Sequence, residues 1–247
     1  MTAVFGVDIG GSGIKGAPVD LAAGALAEPR YKVLTPQPSA PDAVIAAVGE
    51  VVDHFDHQGP VGLTFPGVVV SGHTRTAANV DPGWLDLAAE QRFSEALGRP
   101  CVLLNDADAA GLAEVRFGAG RDRRGVVLVL TFGTGIGSAL FVDGALVPNT
   151  ELGHLELRGK DAERRASSAA RERHQLTWEE WAVRLDEYLD LVERLFWPQL
   201  LIIGGGVSRK HEKFLPLLKE RAATVVPAEL RNDAGIVGAA MAAAEAV

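Results

Sequence analysis

Apolar positions along this chain follow two rhythms. Short, mostly apolar runs at residues 3–7, 61–65, 101–104, 124–130 and 200–203 are bounded by glycine, proline or acidic turns and read as buried strands. Elsewhere the apolar residues recur every three or four positions. Val44, Ile45, Val48, Val51, Val52 and Phe55 form one such face, and Trp181, Leu185, Tyr188, Leu189, Val192, Leu195 and Phe196 form another. Each predicts an amphipathic helix packed on a sheet. Residues 39–42 and 177–180 have the look of capping boxes, and Pro198 stops the second helix. Residues 160–173 are charge-dense and read as partly loop, while 234–246 is a helix rich in glycine and alanine, suited to close packing at a lobe boundary. Strands and helices alternating in this way predict an α/β fold.

Three glycine-rich turns punctuate the pattern. In the first, Asp8 ends a strand and Ile9-Gly10-Gly11-Ser12-Gly13 leads into a second strand that carries Lys15. Such a hairpin is not the strand-to-helix passage of a P-loop or a dinucleotide fold. Its glycines let backbone N–H groups approach phosphate oxygens, and they equally suit a tight hairpin. The second turn, Thr131-Phe132-Gly133-Thr134-Gly135-Ile136-Gly137, is followed by a strand at 138–142. Val4, Gly10, Val19 and Asp20 line up with Val127, Gly133, Val142 and Asp143 at a constant offset of 123, which predicts an internal duplication and two related lobes. The third turn, Gly204-Gly205-Gly206-Val207-Ser208, follows a buried strand and predicts a helix N-terminus fit for the phosphate or adenosine of a nucleotide.

The 247 residues suffice for one large core or two lobes. A formal net charge of −8 gives no global attraction to nucleic acid or to an anionic membrane, so neither is an expected partner. A polyanion would need a local basic track. Arg121, Arg123 and Arg124 before the second hairpin, and Arg209, Lys210 and Lys213 after the third turn, are the groups that could supply one. Cys101 is the single cysteine, which excludes an internal disulfide and points to a reducing, cytoplasmic setting. No apolar run approaches the ~20 residues of a membrane helix, and the first residues lack the pattern of a signal peptide.

The candidate chemistry centres on residues 100–110. A buried strand ends at Asn105-Asp106 and an alanine-rich helix follows, so the Asp106 carboxylate stands at the carboxyl end of a strand, where α/β sheets bind ligands. With phosphate-type turns on either side in sequence, this points to phosphoryl transfer onto a hydroxyl whose proton Asp106 receives. Helix capping is the alternative role. Asp8 is placed to hold Mg²⁺ through water. In Thr150-Glu151-Leu152-Gly153-His154-Leu155-Glu156, the Glu151 and His154 side chains could bond neighbouring hydroxyls of a polyol, although alone the motif reads as a surface turn. Pro66-Gly67 and Asn79 read as turn residues first and ligand contacts second. His54 and His57 lack a third ligand, and neither H-E-x-x-H nor P-C-x-x-C accompanies His154, so metalloenzyme chemistry is set aside.

Five segments, 8–15, 105–111, 131–137, 204–208 and 235–244, fall in the order of the actin/hexokinase-like ATPase superfamily. They resemble its first phosphate hairpin, first connecting helix, second phosphate hairpin, adenosine turn and second connecting helix. The resemblance implies a two-lobed α/β fold of the ribonuclease H-like type with an interlobe cleft. Residues 1–107 plus 235–247 would form the smaller lobe, and 108–234 the larger. Within the superfamily, Asn105-Asp106 and Glu151-Leu152-Gly153-His154 resemble the ROK sugar kinases. The cysteine-rich zinc segment usual after the second motif is missing. Yet Ala162-Glu163-Arg164-Arg165-Ala166-Ser167 resembles the stretch that succeeds those cysteines in the family, and it keeps Glu163. This zinc-free arrangement is similar to the polyphosphate-dependent glucokinases.

By that resemblance the chain transfers a phosphoryl group from polyphosphate, ATP or both to the 6-hydroxyl of glucose, with Asp106 as general base. Asn105, Glu151, His154, Glu163, Gly67 and Asn79 would contact the sugar. Gly10, Gly11, Ser12, Lys15, Thr134, Gly135, Gly205 and Gly206 would cradle the donor, with Asp8 organising Mg²⁺ and no zinc. A homodimer is implied as well. Mannose, which differs from glucose at C2, is the alternative acceptor, as in a mannokinase or glucomannokinase. A non-catalytic sugar-binding regulator and an actin-like scaffold are the readings from other classes; the acidic charge disfavours the DNA binding a regulator needs.

Overall fold

The computed structural model describes residues 4–77 and 80–246, so Asn79 lies outside the described residues. The chain divides into two compact units, Met1–Ala113 with Asp233–Val247, and Glu114–Asn232. The resemblance implies a first boundary after Ala107; the compact units divide after Ala113, within the helix that Asp106 begins. Ala109 and Ala113 of that helix are still buried, and Gly238 of the first unit packs against Ala109.

In the first unit, β1 (Val4–Gly10) and β2 (Gly13–Asp20) form the expected hairpin, flanked by the short strands β3 (Ala25–Leu26) and β4 (Tyr31–Val33). Next come α1 (Pro41–Asp53), β5 (Val61–Phe65), the small pair β6 (Val69–Val70) and β7 (His73–Thr74), α2 (Ala89–Leu97) and β8 (Cys101–Asn105). The sheet runs β3-β2-β1-β5-β8, antiparallel in the hairpin and parallel from β1 to β8. α1 buries the face that its periodicity predicts, Val44, Ile45, Val48, Val51 and Val52. No side-chain cap opens it, however. The cap position is Ala40, with Pro41 in the first turn, and Ser39 lies one residue too early, its carbonyl accepting from Trp84 Nε1 at 2.8 Å.

Helix α3 (Asp106–Phe117) carries the chain into the second unit. There β9 (Val126–Phe132) and β10 (Ile136–Val142) repeat the hairpin, and β11 (Ala145–Val147) lies at its edge. β12 (Glu156–Leu157) and β13 (Lys160–Asp161) make a miniature hairpin. The charge-dense stretch is more regular than its composition suggests, forming α4 (Glu163–Ala166) and α5 (Ser168–Arg173). α6 (Trp178–Phe196) opens with a complete capping box between Thr177 and Glu180, and of its expected apolar face it buries Trp181, Leu185, Tyr188, Leu189 and Val192, with Phe196 partly buried and Leu195 exposed. β14 (Leu200–Gly204) and β15 (Thr224–Pro227) complete a sheet in the order β11-β10-β9-β14-β15.

The two sheets share one plan: an edge strand, an antiparallel hairpin, then two parallel strands. The offset between them is not constant. Gly10 pairs Gly13 across a two-residue turn, whereas Phe132 pairs Ile136 across a three-residue one, so the second hairpin holds one extra residue at its tip. After β14 the chain enters a 3₁₀ segment, Gly206–Lys213, rather than the α-helix expected; Arg209-Lys210-His211-Glu212-Lys213 offers no apolar stripe to hold one.

The last helix, α7 (Ala234–Glu245), returns to the first unit and explains two glycines inside strands. A β-carbon on Gly6 would stand 1.9 Å from the Ile236 carbonyl oxygen, and one on Gly62 1.8 Å from that of Ala239. The helix therefore lies directly on the backbones of β1 and β5, a closeness only a small-residue face permits.

Candidate active site

In the first unit the candidate side chains gather at the carboxyl ends of β1, β5 and β8. Asp8 pairs with Lys15 across the hairpin, Oδ2 to Nζ 2.9 Å, a contact set by their direct opposition in the β1–β2 register. Thr64, fully buried in β5, donates to Asp8 Oδ1 at 3.1 Å while accepting from the Ile9 amide at 3.0 Å. The Asp8 carboxylate also lies beside the first turn of α7, where Gly235 leaves space for it and the unsatisfied amides of a helix start favour negative charge. This is a hard, oxygen-only donor set with one carboxylate already paired to a cation. It suits Mg²⁺ held through its own water shell rather than a dehydrated ion.

Asn105 proves to be the helix cap. Its Oδ1 accepts from the Ala107 and Asp108 amides at 2.8 and 3.1 Å, and its Nδ2 donates to the Gly67 carbonyl at 3.1 Å. The capping alternative considered for Asp106 is thus filled by its neighbour. Asp106, half-buried at the first position of α3, has its carboxylate near the helix N-terminus. Gly67 follows Phe65-Pro66, and these two residues line a small cavity with Gly10, Gly11, Thr35 and Trp84.

In the second unit, Glu151, His154, Asp161 and Glu163 form one cluster. Glu151 Oε2 stands 3.8 Å from His154 Nε2, and Asp161 Oδ2 is 3.3 Å from His154 Nδ1. Burial pushes the Glu151 carboxyl above its usual range; His154 opposes that effect and Glu163 adds to it. The segment is held from below by Ser138. This buried hydroxyl donates to the Thr150 carbonyl at 2.5 Å and accepts from the Leu152 amide at 3.0 Å. Glu163 opens α4 and accepts from the Ile136 amide at 3.3 Å, so its carboxylate sits against the tip of the second glycine hairpin. His154, Asp161 and Glu163 also hold ligand atoms within 4.8 Å of one another, the one such group among the described residues.

The glycine turns behave unlike the packing glycines under α7. Gly11, Gly133 and Gly206 are exposed, none has a positive φ, and nothing stands within 4 Å of an added β-carbon. Neither backbone conformation nor packing demands glycine there. Ser12 and Thr134 are exposed in the same turns, while Gly205 has φ +79° and backs onto Phe132. Thr64, Ser138 and Asp161 escape sequence reasoning. The first two are polar residues inside apolar strands, a signal that marks them as pins; Asp161 leaves no signal until the miniature hairpin is seen.

Residues 4–165 match the ROK family. The chain is 54% identical over 239 residues to the polyphosphate glucokinase of Mycobacterium tuberculosis, spanning 96% of this chain and 90% of that one. It is similar to the inorganic polyphosphate/ATP-glucomannokinase of Arthrobacter sp. strain KM, with a TM-score of 0.97 and 50% identity over the whole of both chains. A ROK family glucokinase from Streptomyces griseus, solved with glucose and AMPPNP, superposes with a TM-score of 0.84 at 26% identity, covering 98% of this chain and 99% of that one. Among the described residues, no helix is long and apolar enough to cross a membrane.

Proposed function

The chain belongs to the ROK family, and from that premise we propose that it is a kinase moving a phosphoryl group from polyphosphate or ATP to the 6-hydroxyl of glucose. The observation that carries this reading is the gathering of Glu151, His154 and Glu163, a set of acceptors matched to adjacent sugar hydroxyls. Names of relatives at 54 and 50% identity support the same acceptor and donors.

Phosphoryl transfer asks little covalent chemistry of a protein; it asks for alignment and for charge to be met where it develops. Asp106 receives the proton of the attacking hydroxyl as its oxygen bonds to the terminal phosphorus and the bond from that phosphorus to the donor's bridging oxygen breaks, releasing ADP or a polyphosphate one phosphate shorter. Asn105, one residue earlier, caps the helix that Asp106 begins and so fixes the start of that helix. Glu151, His154 and Glu163 hold the ring hydroxyls, and Asn105, Gly67 and Asn79 complete the sugar contacts. Gly10, Gly11, Ser12, Thr134, Gly135, Gly205 and Gly206 offer backbone or hydroxyl donors to phosphate oxygens, and Lys15 supplies a fixed positive charge beside them. Mg²⁺, when bound near Asp8, screens the charge of the donor phosphates. The reading includes a cytoplasmic homodimer without zinc; the single cysteine, buried Cys101, suits a reducing setting and offers no cysteine cluster for zinc.

The test is a grid of donors and sugars. Polyphosphate and ATP are each paired with glucose, mannose and N-acetylmannosamine, and glucose should yield glucose 6-phosphate with both donors. Mannose turnover would extend the reading to a glucomannokinase, which the similar Arthrobacter protein favours. No turnover with any pair would overturn it.

A further inference from the structure

We propose that Asp161 is a positioning residue that fixes the ring of His154, keeping the proton on Nδ1 so that Nε2 stands as a hydrogen-bond acceptor toward the sugar. This rests on the sugar-binding role of Glu151 and His154 above. A neutral imidazole has one donor and one acceptor nitrogen, and the partner of one nitrogen decides the state of the other. An ionised carboxylate only accepts. With Asp161 Oδ2 3.3 Å from Nδ1, the ring nitrogen on that side must be the N–H. Nε2 is then a lone pair facing Glu151 Oε2 at 3.8 Å, too far for a direct bond. Two acceptors side by side suit two neighbouring hydroxyls that each donate one proton.

The local fold exists to deliver this contact. Arg158 and Gly159 both have positive φ, 54° and 75°, as a two-residue type I′ hairpin requires. The turn sends the chain back so that Asp161 pairs with Glu156, and the Ala162 amide bonds the Leu155 carbonyl at 2.9 Å. Asp161 thereby returns to the residue just two places before Glu156. Arg158 and Arg165 both pair with Glu187 of α6, which ties this hairpin and α4 to the long helix. The other charged groups facing the pair are Glu151, Glu163 and Arg164, the last 4.0 Å from Asp161 Oδ2. Side chains of His154 and Asp161 are 49% and 41% exposed, and an exposed pair of this kind adds little to stability. Its consequence is the orientation of the ring.

The experiment combines ¹⁵N NMR of the His154 ring with kinetics of Asp161→Ala and Asp161→Asn. The wild-type ring should show a protonated Nδ1 in the absence of substrate, whatever sugar the protein turns over. Asp161→Ala should raise the glucose KM about 10-fold, leave kcat and the donor KM within about twofold, and move the ring toward the Nε2–H form. Asp161→Asn, whose amide oxygen also accepts from Nδ1–H, should recover most of both effects. A wild-type ring protonated at Nε2, or a native glucose KM in Asp161→Ala, would overturn the proposal. So would stoichiometric Zn²⁺ binding by wild type that Asp161→Ala abolishes, because the three side chains would then form a metal site. If the Nδ1 signature is present but glucose is not phosphorylated, the kinase reading has failed and the Asp161–His154 contact has not.

Discussion

The carboxylate of Glu163 fills the space that a side chain at Gly135 would need. Its Oε2 is 3.3 Å from the Ile136 amide and 2.3 Å from where a β-carbon on Gly135 would stand. One residue in the tip of the second hairpin is thus bare so that an acid from α4 can rest there, joining that glycine turn to the Glu151–His154 cluster within the second unit.

Gly135→Ala should displace that carboxylate and raise the glucose KM on the order of 10-fold, about as much as Glu163→Ala itself. Because both changes act through one contact, their effects should fall well short of adding in the double variant. Steady-state kinetics of the four proteins would measure this. Full additivity would mean that the contact plays no part in sugar binding.

Glu151 predicts a pH dependence. Burial raises its carboxyl pKa, so the neutral form persists to higher pH than for an ordinary carboxylate. As an acceptor it serves the sugar best when ionised. The glucose KM should therefore fall as pH rises through the elevated pKa, then level off. Glu151→Gln should show a high glucose KM without this limb, and a smaller change in donor KM. A limb of unchanged position in the variant would assign the titration to another group.

Glycines of two kinds should respond oppositely to alanine. At Gly238 the new β-carbon would lie 1.7 Å from the Ala109 carbonyl oxygen, forcing α7 away from α3. Overpacking of this sort costs about 1–3 kcal/mol, more than the ~1 kcal/mol that alanine gains over glycine inside a helix, so the urea midpoint should drop. Gly11→Ala meets nothing within 4 Å and should unfold at the wild-type midpoint while raising the donor KM. A stable protein with an unchanged donor KM would remove Gly11 from the donor site.

Much of this architecture is legible in the chain because its signals are local. Apolar runs ending in glycine turns mark both hairpins, and the Thr177–Glu180 box marks the start of α6. What escapes depends on distant partners or on very short elements. Capping reads as a role for Asp106 until the amides of Ala107 and Asp108 are seen to choose Asn105. Ser39 suits a capping box by spacing, but its carbonyl is taken by Trp84. The strands of the Glu156–Asp161 hairpin are two residues each, too short to show any period, and α4 and α5 lie hidden in a charged stretch for the same reason. Gly6 and Gly62 carry no signal within their strands, although they are where α7 touches the sheet.

Donor choice should show in salt. Arg209, Lys210 and Lys213 lie along the 3₁₀ segment after Gly205, with Lys213 Nζ 6.0 Å from the Trp178 ring centre. A polyanion that tracks along these cations meets more charges than ATP does. Turnover with polyphosphate should accordingly fall more steeply as ionic strength rises. Equal slopes for the two donors would exclude such a track.

The base assignment is tested most directly by Asp106→Asn, assayed for turnover and, separately, for glucose binding by calorimetry. With the hydroxyl proton left without an acceptor, kcat should drop on the order of 10² to 10⁴ with polyphosphate and with ATP alike, while the glucose Kd stays close to that of the wild type. A variant that binds glucose and retains near-native kcat would contradict the account.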